Sequence, residues 1–100
     1  MSKIFAVTRK SGPRWDASRG LEAQEGWTAH AAFMNGLQSE GFVVLGGPLE
    51  GTNEVLLIIQ AEDEAEVRAR LAADPWSANG LLEISRIVPW TIRLGTIDTR

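Results

Sequence analysis

The order of apolar and polar runs predicts an α+β domain of βαββαβ topology, an antiparallel sheet with two helices on one face. Three observations carry that prediction. Residues 4–8, 42–45, 55–60 and 82–85 are short apolar runs rich in β-branched or aromatic side chains, with Gly, Pro or Asn close by in sequence. Residues 21–40 and 63–74, which lie between those runs, follow helical rather than alternating spacing. Finally, 100 residues of 44% hydrophobic content suffice for one core, and no repeat or Pro/Ser-rich linker divides them, so residues 1–100 are read as a single domain.

The elements follow in order. Residues 4–8 read as a strand that stops at the loop Arg9-Lys10-Ser11-Gly12-Pro13. A helix is expected from about Leu21 to Glu40, with Gly41 as its stop. On it Trp27, His30, Ala31, Phe33, Met34 and Leu37 form one broad stripe, which places His30 in the middle of an apolar face. Residues 42–45, ending at Gly46-Gly47-Pro48, and residues 55–60 are strands joined through Glu50-Gly51-Thr52-Asn53, a hairpin. Gly46-Gly47-Pro48 lacks the Lys-Ser/Thr of a phosphate loop and opens no helix, so its glycines are read as allowing close backbone approach.

Asp63 with Glu66 forms a capping box for a second helix whose buried side is Val67 and Leu71. Pro75 should end this helix near Asp74, which would lie about 20° from Val67 on a helical wheel, on the same buried face. Residues 82–85 alternate as a half-buried strand, and residues 89–94 are expected to continue it or pair beside it. The order is the ferredoxin-like one. Residues 42–45 and 55–59 are apolar at successive positions, which in a strand means apolar on both faces. Two helices cover only one face, so a homodimer through the helix-free sheet face is expected.

Composition narrows the function. Absence of cysteine excludes a disulfide scaffold, a thiolate nucleophile and Cys-based zinc sites, and fits the reducing cytoplasm. A single His excludes a multi-histidine metal cage, so no metal is expected. The first residues contain no signal-peptide core and no stretch approaches a membrane span, which predicts an unprocessed cytoplasmic chain with no membrane partner. A net charge of -3 argues against nucleic acid and leaves a small molecule or a protein as partner. Five basic residues in positions 1–20 precede nine acidic and no basic residues in positions 21–67. That asymmetry reads either as surface pairing or as an anion-selecting mouth.

His30 is the one side chain that titrates near neutrality without perturbation. From spacing alone two roles stay open, a core histidine satisfied by one hydrogen bond and a general base. The second needs a partner, and Asp74 points from its helix toward the same sheet face; a helix-ending Asp before Pro is its plainer role. Trp27, one turn before His30, and Trp76, two residues after Asp74, could wall an apolar pocket for a planar ligand or equally be core filling, which is the expected role of Trp90. Ser77 is near Asp74, but no GxSxG elbow supports a Ser-His-Asp triad. Arg9, Arg14 and Arg19 are solvated surface groups by default, or a carboxylate clamp in the loop before the first helix.

With these pieces in place, the chain resembles the YciI-like (YCII-related) family of small dimeric α+β barrel proteins. Four segments over about residues 3–94 carry the resemblance: Trp27-Thr28-Ala29-His30-Ala31-Ala32-Phe33-Met34, Gly41-Phe42-Val43-Val44-Leu45-Gly46-Gly47-Pro48, Ala73-Asp74-Pro75-Trp76 and Val88-Pro89-Trp90. The resemblance implies a homodimer with a barrel-like core and a pocket in each subunit between helices and sheet. It also implies that His30 and Asp74 are the family's His and Asp pair. The activities attached to the family concern cofactor-free chemistry on aromatic compounds, including elimination of HCl from chlorinated hydroxyquinols.

The expected function is therefore a cofactor-independent enzyme doing acid-base chemistry, as a lyase or isomerase, on a small aromatic or carboxylated metabolite. His30 and Asp74 would be catalytic, and Trp27, Phe33, Gly47, Pro48, Trp76 and Arg14 would bind substrate. The alternative is a non-catalytic binding or accessory dimer. Haem binding through His30 is a third and weaker reading, suggested by haem proteins among related dimeric barrels.

Overall fold

The structure, a computed structural model, describes residues 2–97. Its strands are β1 (Lys3–Ser11), β2 (Val43–Pro48), β3 (Glu54–Ala61) and β4 (Leu82–Pro89). Helices α1 (Trp27–Ser39), α2 (Glu64–Ala72) and α3 (Pro75–Ala78) complete it. The sheet order is β2-β3-β1-β4 with every neighbouring pair antiparallel, the expected ferredoxin-like arrangement.

Strand β1 is central and alternates cleanly. Phe5, Val7 and Arg9 are buried, whereas Ile4, Ala6 and Thr8 between them are only partly so. Phe5 pairs with Ile59, Val7 with Leu57 and Arg9 with Val55, so one face of the two central strands carries a continuous apolar row that ends in a cation. Leu37 of α1 and Val67 and Leu71 of α2 join Phe5, Val7 and Ile59 in the main core. Trp76 of α3 with Leu81 and Leu82 forms a smaller cluster, against which Trp15 and Trp27 pack. A bulge in β4 pairs Thr8 with Arg86 but Arg9 with Ile84. The skipped Ser85 donates its hydroxyl to the Thr8 carbonyl at 3.1 Å.

Several boundaries differ from the sequence expectation, each for a local reason. α1 starts at Trp27, not Leu21, because Gly26 adopts φ +79°, outside helical space. Before it, residues Leu21–Ala23 make only one 3-10 turn. Gln24 turns back there and donates to the Asp16, Arg19 and Gly20 carbonyls at 2.7, 3.0 and 3.4 Å. The other end of α1 is as expected: Gly41 at φ +82° lets its own N–H and that of Phe42 reach the Gln38 and Leu37 carbonyls.

Helix α2 stops at Ala72, and Pro75 opens the short α3 that the sequence did not announce. Proline cannot continue α2, but its fixed φ and missing N–H suit the first position of a new helix. Strand β1 runs to Ser11 and β2 through Gly46-Gly47-Pro48, both longer than expected. Conversely, residues 91–97 are irregular, so the strand expected over 89–94 ends at Pro89. Trp90 donates its amide to the Ile4 carbonyl, yet its side chain is not core filling, being 45% exposed.

Candidate active site

Asp74 is where the three packed elements meet. As N-cap of α3 it accepts the Trp76 amide on Oδ1 at 2.9 Å. His30 of α1 places Nδ1 2.9 Å from both carboxylate oxygens. Arg9 of β1 places Nη2 2.9 Å from Oδ2 and donates from the same nitrogen to Ser77 Oγ at 2.7 Å. Asp74 has no exposed surface, Arg9 is 1% exposed and His30 8%. Burial disfavours the charged carboxyl, but the hydrogen bonds from His30 and the Trp76 amide, with the charge of Arg9, outweigh it and hold Asp74 below its ordinary pKa. Burial lowers the Arg9 pKa, against the pull of Asp74. A guanidinium nevertheless keeps its proton at physiological pH.

This arrangement fixes which imidazole nitrogen can do chemistry. An ionised carboxylate only accepts, so Nδ1 between its two oxygens carries a proton in either charge state of the ring. Nε2 is then the nitrogen that gains or loses the second proton. The ring is held by stacking on Trp76, with centroids 3.9 Å apart and planes 6° from parallel. Trp76 is itself fixed, donating Nε1 to the Glu25 carbonyl at 2.8 Å and meeting Trp15 edge-on at 5.7 Å.

His30 opens onto a cavity of about 390 Å³ that reaches across α1 to β2. Trp27, Met34, Val55, Leu57 and Leu82 supply much of its apolar wall. Gly46, Gly47 and Pro48 complete it, and a Cβ at Gly46 would sit 2.8 Å from Leu57 Cδ2, so the Leu57 side chain would have to shift to admit one. The volume lies within the range of small-molecule sites.

Of the residues singled out in the sequence, the structure brings His30, Asp74, Trp27, Trp76, Gly47 and Pro48 together around this cavity and the polar cluster behind it. Two are elsewhere. Phe33 packs against the main core, since its position on α1 turns it toward the sheet instead of the cavity. Arg14 lines a separate recess of about 240 Å³ with Asp16 and Arg19, its side chain lying against Gly80. Arg9 is neither a loop residue nor solvated: it is the ninth residue of the chain but the third buried position of β1. Its signal was available, because Phe5, Val7 and Arg9 share the i, i+2, i+4 period of one strand face. Gln24, buried in the 12–26 loop, carried no comparable signal, since its partners are backbone carbonyls.

The family model for the YCII-related domain matches residues 10–91. The chain belongs to the YCII-related family. Among solved structures, 5-chloro-2-hydroxyhydroquinone dehydrochlorinase from Burkholderia phenoliruptrix, determined with 2,5-dihydroxybenzoquinone, is similar at TM-score 0.63. It is 24% identical, over 92% of this chain and 95% of that one. Protein YjcS is similar at TM-score 0.55 and 13% identity, over 93% of this chain and all of the other. At these identities the likeness concerns the fold. No curated protein matches the chain. No helix among the described residues is long and apolar enough to cross a membrane, and no cluster of metal-ligating side chains occurs among them.

Proposed function

We propose that this YCII-related chain is a cofactor-independent enzyme of proton transfer, a lyase or isomerase acting on a small aromatic or carboxylated metabolite. The observation that carries the reading is the buried Asp74 carboxylate on Nδ1 of His30, a ring that lines an apolar cavity and keeps Nε2 clear of that carboxylate. In this scheme His30 takes a proton from the substrate as general base, and Asp74 orients the ring and stabilises the imidazolium that forms. In an elimination the leaving group then departs with its bonding electron pair. Trp27 and Trp76 with the Gly47-Pro48 backbone exclude water and hold a planar ring. The dehydrochlorinase neighbour, solved with a dihydroxybenzoquinone, supplies the first compounds to try.

The test is proton exchange. Chlorinated hydroxyhydroquinones and aromatic carboxylates are incubated with the protein in D₂O, and both deuterium uptake and product are followed by NMR. His30→Gln and His30→Ala should lose about 100- to 10,000-fold in rate, the range for one general acid-base group. A loss of tenfold or less would overturn the assignment, and a ligand bound but recovered unchanged and unexchanged would make the chain a binding module.

The proposal includes a homodimer formed through the helix-free sheet face. Leu45, whose partner Ile58 lies on that face, is 58% exposed, and Trp90 and Leu94 beyond β4 are 45% and 92% exposed. On that face Leu45, Ile58, Ala6 and Val88 pair in one apolar row across all four strands, and a contiguous row of this kind favours association. Light scattering at micromolar concentration should give twice the chain mass; the mass of one chain would remove the dimer.

A further inference from the structure

The catalytic reading accounts for His30 and Asp74 but leaves Arg9 with donors it does not use. Arg9 Nη2 is occupied by Asp74 and Ser77, whereas Nη1 faces only the thioether of Met34 at 3.9 Å. Arg9 Nε is buried and has no acceptor. Sulfur is a weak acceptor, and a buried guanidinium with unmet donors is costly unless something else meets them. Met34, the group opposite Nη1, is an unbranched and adaptable side chain that itself lines the cavity.

The charges point the same way. Arg9 lines the cavity, and no Asp or Glu does; Asp74 lies wholly buried behind Arg9 and His30. Arg9 therefore bears the only formal charge among the described lining residues, in a protein that is net acidic. Asp74 balances that charge at Nη2, so what the pair offers a ligand is its donor side, Nη1 and Nε.

We infer that Arg9 is a ligand-binding residue and that the cavity selects a planar, apolar molecule carrying a single negative charge on oxygen, a carboxylate or a phenolate. The inference deepens the proposed function by naming its substrate class. Arg9 receives the oxyanion on Nη1 and Nε as Met34 moves aside, and the ring lies along Trp27 and Trp76. The same cation stays in place when His30 takes a proton and the bound molecule becomes more negative.

Binding of matched probes tests this without turnover. Benzoate, benzamide and benzylamine share a ring and differ in charge; 4-nitrophenol, compared on either side of its own ionisation, covers the phenolate. Affinities are read by calorimetry at constant ionic strength. Benzoate should bind at least tenfold tighter than benzamide, with benzylamine weakest, and phenolate preference would extend the class beyond carboxylates. No preference for the anion, or no binding of either neutral or anionic probe at millimolar concentration, overturns the inference. In Arg9→Met/Asp74→Asn, which removes both charges of the pair, the preference should fall below threefold; a retained preference overturns the role of Arg9. Arg9→Lys, which keeps the charge and changes the fork, should keep a reduced preference should the double variant fail to fold. His30→Gln should retain the preference while losing proton exchange, so failure of the catalytic reading and failure of this one give different results.

Discussion

Asp63 and Asp74 occupy the same local position, and the difference between them separates scaffold from site. Each is an extended residue at the start of a helix, and each accepts one backbone amide of the first turn: Asp63 from Glu66 at 2.8 Å, Asp74 from Trp76 at 2.9 Å. Asp63 is exposed, and the Glu66 side chain reaches back past it to accept the amide of Glu62, one residue before the cap, at 2.7 Å. Asp74 has no exposed surface and takes two further partners from elements far away in sequence, His30 and Arg9. The cap is thus a property of a few neighbouring residues, whereas the site is a property of which elements the sheet order brings over that cap.

The largest expected consequence falls on Asp74. Asp74→Ala leaves the Arg9 guanidinium buried without its counter-charge, and breaking one side of a buried pair costs about 3–5 kcal/mol. Chemical denaturation should show that loss, and a cost below about 1 kcal/mol would mean that the pair is solvated in solution. The sharper form is the double variant Arg9→Met/Asp74→Ala. Its cost should be well below the sum of the two single costs, because the charge stranded by each single change is absent. Strict additivity would show that Arg9 and Asp74 do not depend on each other.

Acid should distinguish the two caps next. The Asp74 carboxyl is held below its ordinary value of 3.8, so folding favours its ionised form. Its contribution to stability is fully present above that value and is lost as pH falls through the lower folded pKa. The stability gap between wild type and Asp74→Ala should therefore be widest near neutrality and narrow on acidification below about pH 4. A gap that stayed constant down to pH 2 would break the link between Asp74 charge and the site.

The two aspartates also show what was legible in the sequence. The Asp63 cap could be read directly, because donor and acceptor lie three residues apart and follow the rules of backbone capping, although Glu66 reaches Glu62 and not Asp63. The fold could be read for a similar reason: strand and helix periods are local, and their order leaves few topologies. The His30-Asp74 pairing was legible only as two residues aimed at one face of the sheet. The route to it was different from the expected one, since Asp74 starts α3 and does not end α2. The sequence reads Arg9 as the start of a loop, its charge suggesting solvent, while the alternation of β1 argues the opposite. At Arg9 burial follows the period of the strand and not the charge of the side chain.

The smallest effect belongs to Asp63, and it is the cleanest control. Asp63→Ala removes one exposed cap and should cost about 1 kcal/mol, within the range of 0.5–2 for N-caps. The comparison is most informative as the same substitution at both places. Asn accepts an amide hydrogen bond as well as Asp does at an N-cap, so Asp63→Asn should change stability by no more than a few tenths of a kcal/mol. At position 74 an Asn side chain still accepts the Trp76 amide. Accepting that amide puts the oxygen at the Oδ1 position, where it also still accepts from His30, so the NH₂ takes the place of Oδ2 and faces the Nη2 of Arg9, donor against donor. Asp74→Asn should therefore destabilise clearly more than Asp63→Asn, although the cap itself is retained in both. Equal costs at the two positions, measured in one denaturation series, would reduce Asp74 to a cap and leave His30 as a core residue with one hydrogen bond.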